Sequence, residues 1–171
     1  MEVLPDLVAP DPVVVFCGMA STRSCKVREH YYASPGNNFW EMLHASGFTD
    51  RRLRPQDDER VLGLGLGLTD LVRHDELSPP TYELDELVAK VAGWRPEILA
   101  LSSKTVAAVV ARELGHRRPG LGEAGWELAG AEVYVLPGTS GANRRAEYDG
   151  RPDRVSWWRD LAQLAGRTPP G

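Results

Sequence analysis

Short apolar runs, separated by segments with helical periodicity, limit how this chain can fold. Residues 13–17, 98–101 and 133–136 are almost wholly apolar, which is typical of strands buried on both faces of a parallel sheet. Residues 84–91 and 105–114 carry apolar side chains at helical spacing. This alternation predicts an α/β fold: a single three-layer α/β/α domain with a short, mainly parallel central sheet.

Glycine and asparagine mark the expected helix boundaries. Gly93 and Gly115 each follow a helical segment and are predicted to end it, because glycine readily adopts the left-handed conformation found after helices. Asn37 or Asn38 is predicted to cap a further helix that begins near Phe39, because an asparagine side chain can accept a hydrogen bond from a free backbone N–H there.

Leucine alternates with glycine in residues 63–68, directly before Thr69 and Asp70. The alternation is typical of a strand, although three glycines weaken that prediction. Neither G-x-G-x-x-G nor G-x-x-x-x-G-K, the spacings of phosphate-binding loops, is present. We therefore expect the glycines to permit close packing of the backbone against a neighbouring element.

The length of 171 residues fits one domain, and we expect it to span residues 1–171 with frayed termini at 1–11 and 167–171. No apolar run reaches the roughly 20 residues that cross a bilayer, and the first residues do not resemble a secretion signal. Two cysteines, Cys17 and Cys25, make no disulfide framework. We expect a cytoplasmic protein with free thiols and no membrane partner.

The net charge of −4 argues against nucleic acid as a partner, because phosphate binding rewards lysine and arginine. The basic residues are nevertheless clustered. The two clusters are Arg23, Lys26 and Arg28, and Arg144, Arg145, Arg151 and Arg154. Either the clusters are solvated surface charge, or they form a basic rim on an acidic domain.

Ligands of parallel α/β sheets bind beyond the carboxyl ends of the strands, so segments 18–36, 69–80 and 137–150 are expected to form any active site. No metal site is predicted, because the cysteines and histidines lack the spacing of metal ligands. Cys17 lies in a predicted core strand, where an inert buried thiol is usual. A Cys–His nucleophile pair stays open as an alternative.

Three blocks of sequence fall in or beside these segments. Residues 14–21 read V-V-F-C-G-M-A-S, residues 31–40 read Y-Y-A-S-P-G-N-N-F-W, and residues 136–144 read L-P-G-T-S-G-A-N-R. In this order they resemble the V-F-C-G-I-N-P-G, P-x-N-x-F-W and L-P-N-P-S-G-x-S-R blocks of the mismatch-specific uracil-DNA and thymine-DNA glycosylase family. The resemblance extends from about residue 13 to residue 161, and its most specific block is P-G-N-N-F-W.

This resemblance implies a uracil-DNA glycosylase-like fold and a monofunctional DNA glycosylase of base excision repair. Such an enzyme flips uracil, or a related damaged base, out of a mismatch in double-stranded DNA and hydrolyses its N-glycosidic bond. Water attacks C1′ directly, so we expect no cofactor and no covalent lysine intermediate. We expect a monomer with DNA as its partner.

The resemblance also implies roles for individual residues. Backbone N–H groups of Gly18, Met19 and Ala20, in a turn after the first strand, would stabilise the anionic base. Tyr32 lies where the family places the aromatic residue that stacks on the base. The residues implied in DNA contact are Ser140, Gly141, Ala142, Asn143 and Arg144.

Ala20 departs from the family pattern, because it stands where the family has the asparagine that positions the attacking water. A methyl group neither holds nor polarises water, so catalysis needs another side chain. Asp70, at a predicted strand end, is our candidate, since a carboxylate can accept a proton from water and stabilise positive charge on the sugar. The alternative for Asp70 is a cap after Thr69. Asn37 is the runner-up, through its amide, or else caps a helix.

Two further functions stay open. The chain could be a non-catalytic protein of the same fold that binds DNA lesions, having kept the pocket but lost the residue that positions water. It could also be an unrelated α/β nucleotide-binding protein, for which the sequence offers no phosphate loop. Whether Asp70 is catalytic distinguishes the glycosylase from the lesion-binding protein.

Overall fold

The computed structural model describes residues 3–23, 28–141 and 147–167. Within these residues the strands are β1 (Val14–Ser21), β2 (Leu66–His74), β3 (Thr81–Tyr82), β4 (Ile98–Leu101), β5 (Gly122–Leu128) and β6 (Ala131–Val135). The α-helices there are α1 (Phe39–Ala45), α2 (Leu84–Trp94), α3 (Lys104–Leu114) and α4 (Val155–Leu164), and a 3₁₀ helix spans Pro55–Leu64.

The described strands form one sheet in the order β3-β2-β1-β4-β6-β5. The four inner strands run parallel to one another, and β3 and β5 are antiparallel at the two edges. Strand β1 is central, because it pairs with β2 along its whole length and with β4 over residues 14–17. The predicted α/β fold with a mainly parallel sheet is confirmed.

Alternate side chains of β1 supply two separate cores, one on each face of the sheet. On one face, Phe16 meets the edge of Phe39 from α1 at 5.4 Å and stacks on Trp158 from α4 at 5.6 Å, between ring centroids. On the other face, Val15 and Cys17 belong to the core that includes residues of α2 and α3. The structure therefore has the predicted three layers, with helices on both faces of the sheet.

The helix ends agree with the sequence at α3 and differ at α2. Helix α3 begins where the Ser103 side chain accepts a hydrogen bond from the N–H of Val106 at 3.2 Å, and it ends at the left-handed Gly115, as predicted. Helix α2 continues past Gly93, and Arg95 adopts the left-handed conformation instead, with φ 56°. A glycine is compatible with a helix interior, so its presence alone did not fix this boundary.

The glycine-rich segment is only partly the strand that the leucine alternation predicts. Gly63 lies in the 3₁₀ helix, Gly65 caps that helix with φ 71°, and β2 begins at Leu66. Gly67 is the residue that permits close packing. A Cβ built there would lie 2.9 Å from Val8 Cγ2 and 3.1 Å from Val15 Cγ2.

The segment before β1, expected to be frayed, is held against the sheet over the part that the structure describes. Leu7 and Leu68 exchange two backbone hydrogen bonds of 3.0 and 2.9 Å. Asp6 forms an ion pair with Lys90 at 2.9 Å, and Leu4 is buried. At the other end, the N–H of Arg167 donates to the carbonyl of Ala162 at 2.7 Å, and residues 168–171 lie outside the described part.

Replacement of Gly67 by alanine tests this close packing. The added methyl group would press on two valines, whose branched side chains have little rotamer freedom, so we expect Gly67→Ala to lower the free energy of unfolding by about 1–3 kcal/mol. Gly63→Ala is the matched control, because a Cβ there meets nothing within 4 Å. Urea denaturation measures both; equal stability of the two variants would contradict the packing argument.

Candidate active site

A cleft of about 720 Å³ opens at the carboxyl ends of the inner strands. Strand β1 contributes Gly18, β2 contributes Asp70, and Ser102 follows β4 directly. The loop before α1 closes one side with Tyr32, and the segment after β6 closes another with Thr139. The expectation that ligand-binding segments meet beyond the strand ends agrees with this arrangement.

The strand register brings three side-chain oxygen atoms together over Gly18. Gly18 is paired with Asp70 across the two strands, and the N–H of Ser102 donates to the carbonyl of Cys17 at 3.0 Å. A Cβ built on Gly18 would lie 2.8 Å from Asp70 Oδ1, 3.2 Å from Tyr32 Oη and 3.5 Å from Ser102 Oγ. The absent side chain of Gly18 is therefore what leaves these three oxygens facing a common point.

Asp70 is a buried carboxylate with one cationic partner among the described residues. Its Oδ2 accepts a hydrogen bond from Arg28 Nη1 at 2.9 Å, and its side chain is only 4% exposed. Burial raises the pKa of Asp70, while the charge and the hydrogen bond of Arg28 oppose that rise. Because Asp70 lies inside β2 and bonds to this guanidinium, the alternative that it caps a turn or helix is wrong.

Tyr32 lines the cleft in a left-handed backbone conformation, with φ 52°. One face of its ring stacks on Phe39, with 3.9 Å between centroids and 9° between planes, so only the opposite face is left for another ring. Its buried hydroxyl faces the Ser102 side chain, which opposes the rise in the pKa of Tyr32, but it forms no hydrogen bond of normal geometry with the described residues. Burial and the negative charge of Asp70 raise the pKa of Tyr32, so the hydroxyl stays protonated at neutral pH.

Asn37 joins the two loops that border the cleft. Its Oδ1 accepts hydrogen bonds from the N–H of Phe39 and from Thr139 Oγ1, each at 2.9 Å. The N–H of Asn38 donates to the carbonyl of Thr139 at 2.8 Å, which adds a second connection. The N-cap residue of α1 is Asn38, which makes no side-chain cap hydrogen bond, whereas the Asn37 side chain accepts from the first N–H of the helix. The carbonyl oxygen of Asn37 is thus occupied, and no described residue accepts a hydrogen bond from its amide nitrogen.

Gly18, Met19 and Ala20 lie within β1, not in the turn that the sequence predicts. Backbone groups of a strand alternate between its two neighbours, and the carbonyl of Cys17 points towards β4. The N–H of Met19 therefore points to the same side, where β1 extends past the last residue of β4. Gly18 and Ala20 face β2 instead, so Met19 is the member of this trio whose N–H faces the end of β4.

The segment after β6 is described as far as Gly141. A Cβ on Gly141 would lie 2.7 Å from the carbonyl oxygen of Gly36, so the two loops touch here. Ser140 lines the cleft. The other residues predicted to contact DNA lie outside the described residues: Ala142, Asn143 and Arg144.

Two arginines of the predicted basic cluster are engaged within the protein. Arg154 Nη1 donates to the carbonyls of Gly138 at 2.9 Å and Ser140 at 3.3 Å. Arg151 pairs with Asp160 at 2.7 Å and lies over the ring of Trp157. These contacts favour a structural role for the two guanidinium groups in holding the segment after β6.

Sequence reasoning did not single out Arg28 or Ser102 as site residues. In the sequence, Arg28 is marked only by its place in a charge cluster, although it lies in a segment expected to reach the site. Ser102 directly follows the buried run of residues 98–101, and that strand end was the signal that could have identified it. The site thus draws on a fourth strand end beyond the three segments that we predicted.

Cys17 is fully buried in β1, and burial raises the pKa of its thiol. This environment is that of an inert thiol and does not suit a Cys–His nucleophile. Over residues 3–23, 28–141 and 147–167, no group of three histidine, cysteine, aspartate or glutamate side chains could hold a metal ion. In the same part of the chain, no helix has the length and apolar character needed to cross a bilayer.

The fold and the cleft together define a class of protein: an α/β protein with a ligand-sized cleft beside a buried carboxylate at the carboxyl edge of its sheet. The chain belongs to the uracil DNA glycosylase superfamily, whose sequence model matches residues 5–162. This membership covers nearly the whole chain and supports a DNA glycosylase, a hydrolase of base excision repair.

Substitution of two adjacent tyrosines tests whether the Tyr32 hydroxyl lacks a hydrogen-bond partner. Tyr31 Oη donates to the carbonyl of Pro5 at 2.9 Å, so Tyr31→Phe should lower the free energy of unfolding by about 1 kcal/mol. Tyr32→Phe removes a buried hydroxyl without such a bond, so we expect no loss of stability, or a gain of up to about 1 kcal/mol. Chemical denaturation compares them, and an equal loss in both would show that the Tyr32 hydroxyl has a partner.

Proposed function

We propose that the protein is a monofunctional DNA glycosylase that hydrolyses the N-glycosidic bond of uracil, or a related damaged base, mispaired in double-stranded DNA. The observation that carries the proposal is the buried carboxylate of Asp70, in one cleft with the ring of Tyr32, at the carboxyl edge of the sheet. Superfamily membership over residues 5–162 supports the same reaction class.

The cleft suits a base that has been flipped out of the duplex. A base inside a DNA stack cannot be attacked, so it must rotate into a pocket and find a surface to stack on. The ring face of Tyr32 that does not meet Phe39 is our candidate for that surface. The N–H of Met19 is our candidate for a backbone donor to a base carbonyl, because it faces the end of β4 beside the cleft.

Asp70 is our candidate catalytic residue, in place of the asparagine that Ala20 replaces. Water forms a bond to C1′ while the C1′–N bond breaks, and the bonding electron pair leaves with the base. Asp70 accepts the proton that the water loses, and its charge stabilises the electron-poor sugar. The anionic base then takes a proton from solvent. This sequence uses neither a cofactor nor a covalent enzyme intermediate.

Asn37 remains the runner-up for the catalytic role, although its geometry favours a structural one. Its Oδ1 already accepts two hydrogen bonds that connect the loops beside the cleft. Ser140 and Gly141 stay our candidates for DNA contact, as do Ala142, Asn143 and Arg144. The proposed partner is duplex DNA bound by a monomer, with the cleft facing the duplex.

Replacement of Asp70 by asparagine tests the catalytic assignment. Asp70→Asn keeps the shape of the side chain but removes its charge, so we expect single-turnover cleavage of uracil opposite guanine to fall at least about a hundredfold. Binding to a lesion duplex should survive, since the Tyr32 ring and the backbone are unchanged. We also expect no loss of thermal stability, because the variant removes a buried charge whose desolvation is unfavourable.

Asp58→Asn is a matched control. Asp58 is also a buried carboxylate, but it accepts a hydrogen bond from the N–H of Tyr31 at 3.2 Å and lies outside the cleft. We expect it to retain cleavage. If Asp70→Asn cleaves within about threefold of the parent, the catalytic role moves to Asn37. If the parent binds lesion duplexes but cleaves none, the protein is a lesion-binding member of the superfamily.

The pH dependence of cleavage gives an independent test. The proposed role needs ionised Asp70, and burial raises the pKa of Asp70, so we expect the cleavage rate to fall, as the pH decreases, above the ordinary carboxyl pKa of about 3.9. A carboxyl whose pKa is raised by folding stabilises the folded state when it is protonated, so protonation of Asp70 would not lower the cleavage rate by unfolding the protein. Single-turnover rates and thermal unfolding, both measured at each pH, separate loss of catalysis from loss of the fold. A rate that stays constant down to pH 4 would contradict the assignment.

A further inference from the structure

Cleavage of an N-glycosidic bond separates two charges, and Asp70 can stabilise only one of them. Positive charge develops on the sugar, near which a carboxylate is favourable. Negative charge develops on the departing base, which needs a hydrogen-bond donor or a cation. Arg28 is the cationic side chain that the proposed function has not yet used, and it lines the same cleft.

The geometry of Arg28 suits contact with a ligand. A guanidinium group has five N–H donors, and in the described structure one hydrogen bond of Arg28 is directed at Asp70 Oδ2, 2.9 Å from Nη1. The Arg28 side chain is 28% exposed, whereas that of Asp70 is 4% exposed. The aspartate thus fixes one edge of the guanidinium, whose central carbon lies 5.8 Å from the centroid of the Tyr31 ring, and the partly exposed side chain lines the cleft.

We propose that Arg28 is a catalytic residue that hydrogen-bonds the carbonyl oxygen next to the glycosidic nitrogen and stabilises the departing pyrimidine as an anion. This inference rests on the proposed glycosylase function. An arginine suits the role of anion stabiliser because its planar guanidinium presents several N–H donors in a fixed geometry.

The Arg28–Asp70 ion pair then matches the charge separation of the transition state. Its negative member lies buried beside Gly18, and its positive member is the more exposed of the two. Charges that are already fixed in place need little reorganisation when the bond breaks, which is the physical basis of electrostatic catalysis. Pairing also offsets part of the cost of burying Asp70.

A purely structural role for Arg28, holding Asp70 in place, makes a different prediction about the leaving group. 5-Fluorouracil leaves more readily than uracil, because fluorine withdraws electron density and stabilises the anion. An enzyme that loses its anion-stabilising cation should therefore suffer more on uracil than on 5-fluorouracil. A variant that only displaces Asp70 should lose the same factor on both bases.

The experiment compares single-turnover cleavage of duplexes carrying uracil or 5-fluorouracil opposite guanine. We expect Arg28→Gln to lose at least about tenfold more rate on uracil than on 5-fluorouracil, a difference of roughly 1.4 kcal/mol in barrier. Arg28→Lys keeps the charge and should lose less than Arg28→Gln on uracil. Arg95→Gln is the control: Arg95 pairs with Asp11 at 3.0 Å and follows α2, before β4 begins, so both rates should be unchanged.

Equal losses on the two bases would overturn the assignment, and so would a parent-like rate of Arg28→Gln on uracil. Circular dichroism and binding of a lesion duplex check that each variant is folded. If Arg28→Gln does not fold, Arg28→Lys carries the test, since an imperfect cation should still lose more on uracil than on 5-fluorouracil. A parent enzyme that cleaves neither base would refute the proposed function itself, which separates that failure from failure of the Arg28 assignment.

Discussion

Pairing of β1 with a parallel strand on each side is the constraint on which the rest of the structure depends. Residues 14–17 lie between β2 and β4, so their backbone groups are paired on both sides. Because both faces of the sheet are covered by a core, their side chains must also be apolar on both faces. The same register places Gly18 opposite Asp70 and sets Ser102 beside the carbonyl of Cys17. The strand pairing in the core and the arrangement of side chains in the cleft thus both follow from the register of β1 with its two neighbours.

The second constraint is electrostatic. A buried carboxylate is unfavourable unless a partner compensates for its lost hydration, and Arg28 provides that compensation from a different part of the chain. The resulting site combines features that a stable core would avoid: an ion pair, and a tyrosine hydroxyl that has no well-formed hydrogen bond within the described part of the chain. Such unfavourable groups are typical of places where a protein has given up stability for binding or chemistry.

Local patterns were sufficient for much of the fold. The apolar runs predicted β4 in full, and the glycine after α3 predicted its end, because burial on both faces and left-handed caps impose strict residue choices. Edge strands β3 and β5 were not predicted. Strand β5 contains two glycines with positive φ, which weaken a strand prediction, so its pairing with β6 is what defines it as a strand.

The sequence by itself determined the fold class, the superfamily resemblance and the candidacy of Asp70 and Tyr32, because residue types and their order carry that information. Only the tertiary structure decided that Arg28 pairs with Asp70, that Ser102 joins the site, and that Gly18–Ala20 belong to a strand instead of a turn. These contacts join residues 42 and more positions apart, or depend on where a neighbouring strand ends. Local sequence does not encode such distances, since they follow from strand order and register.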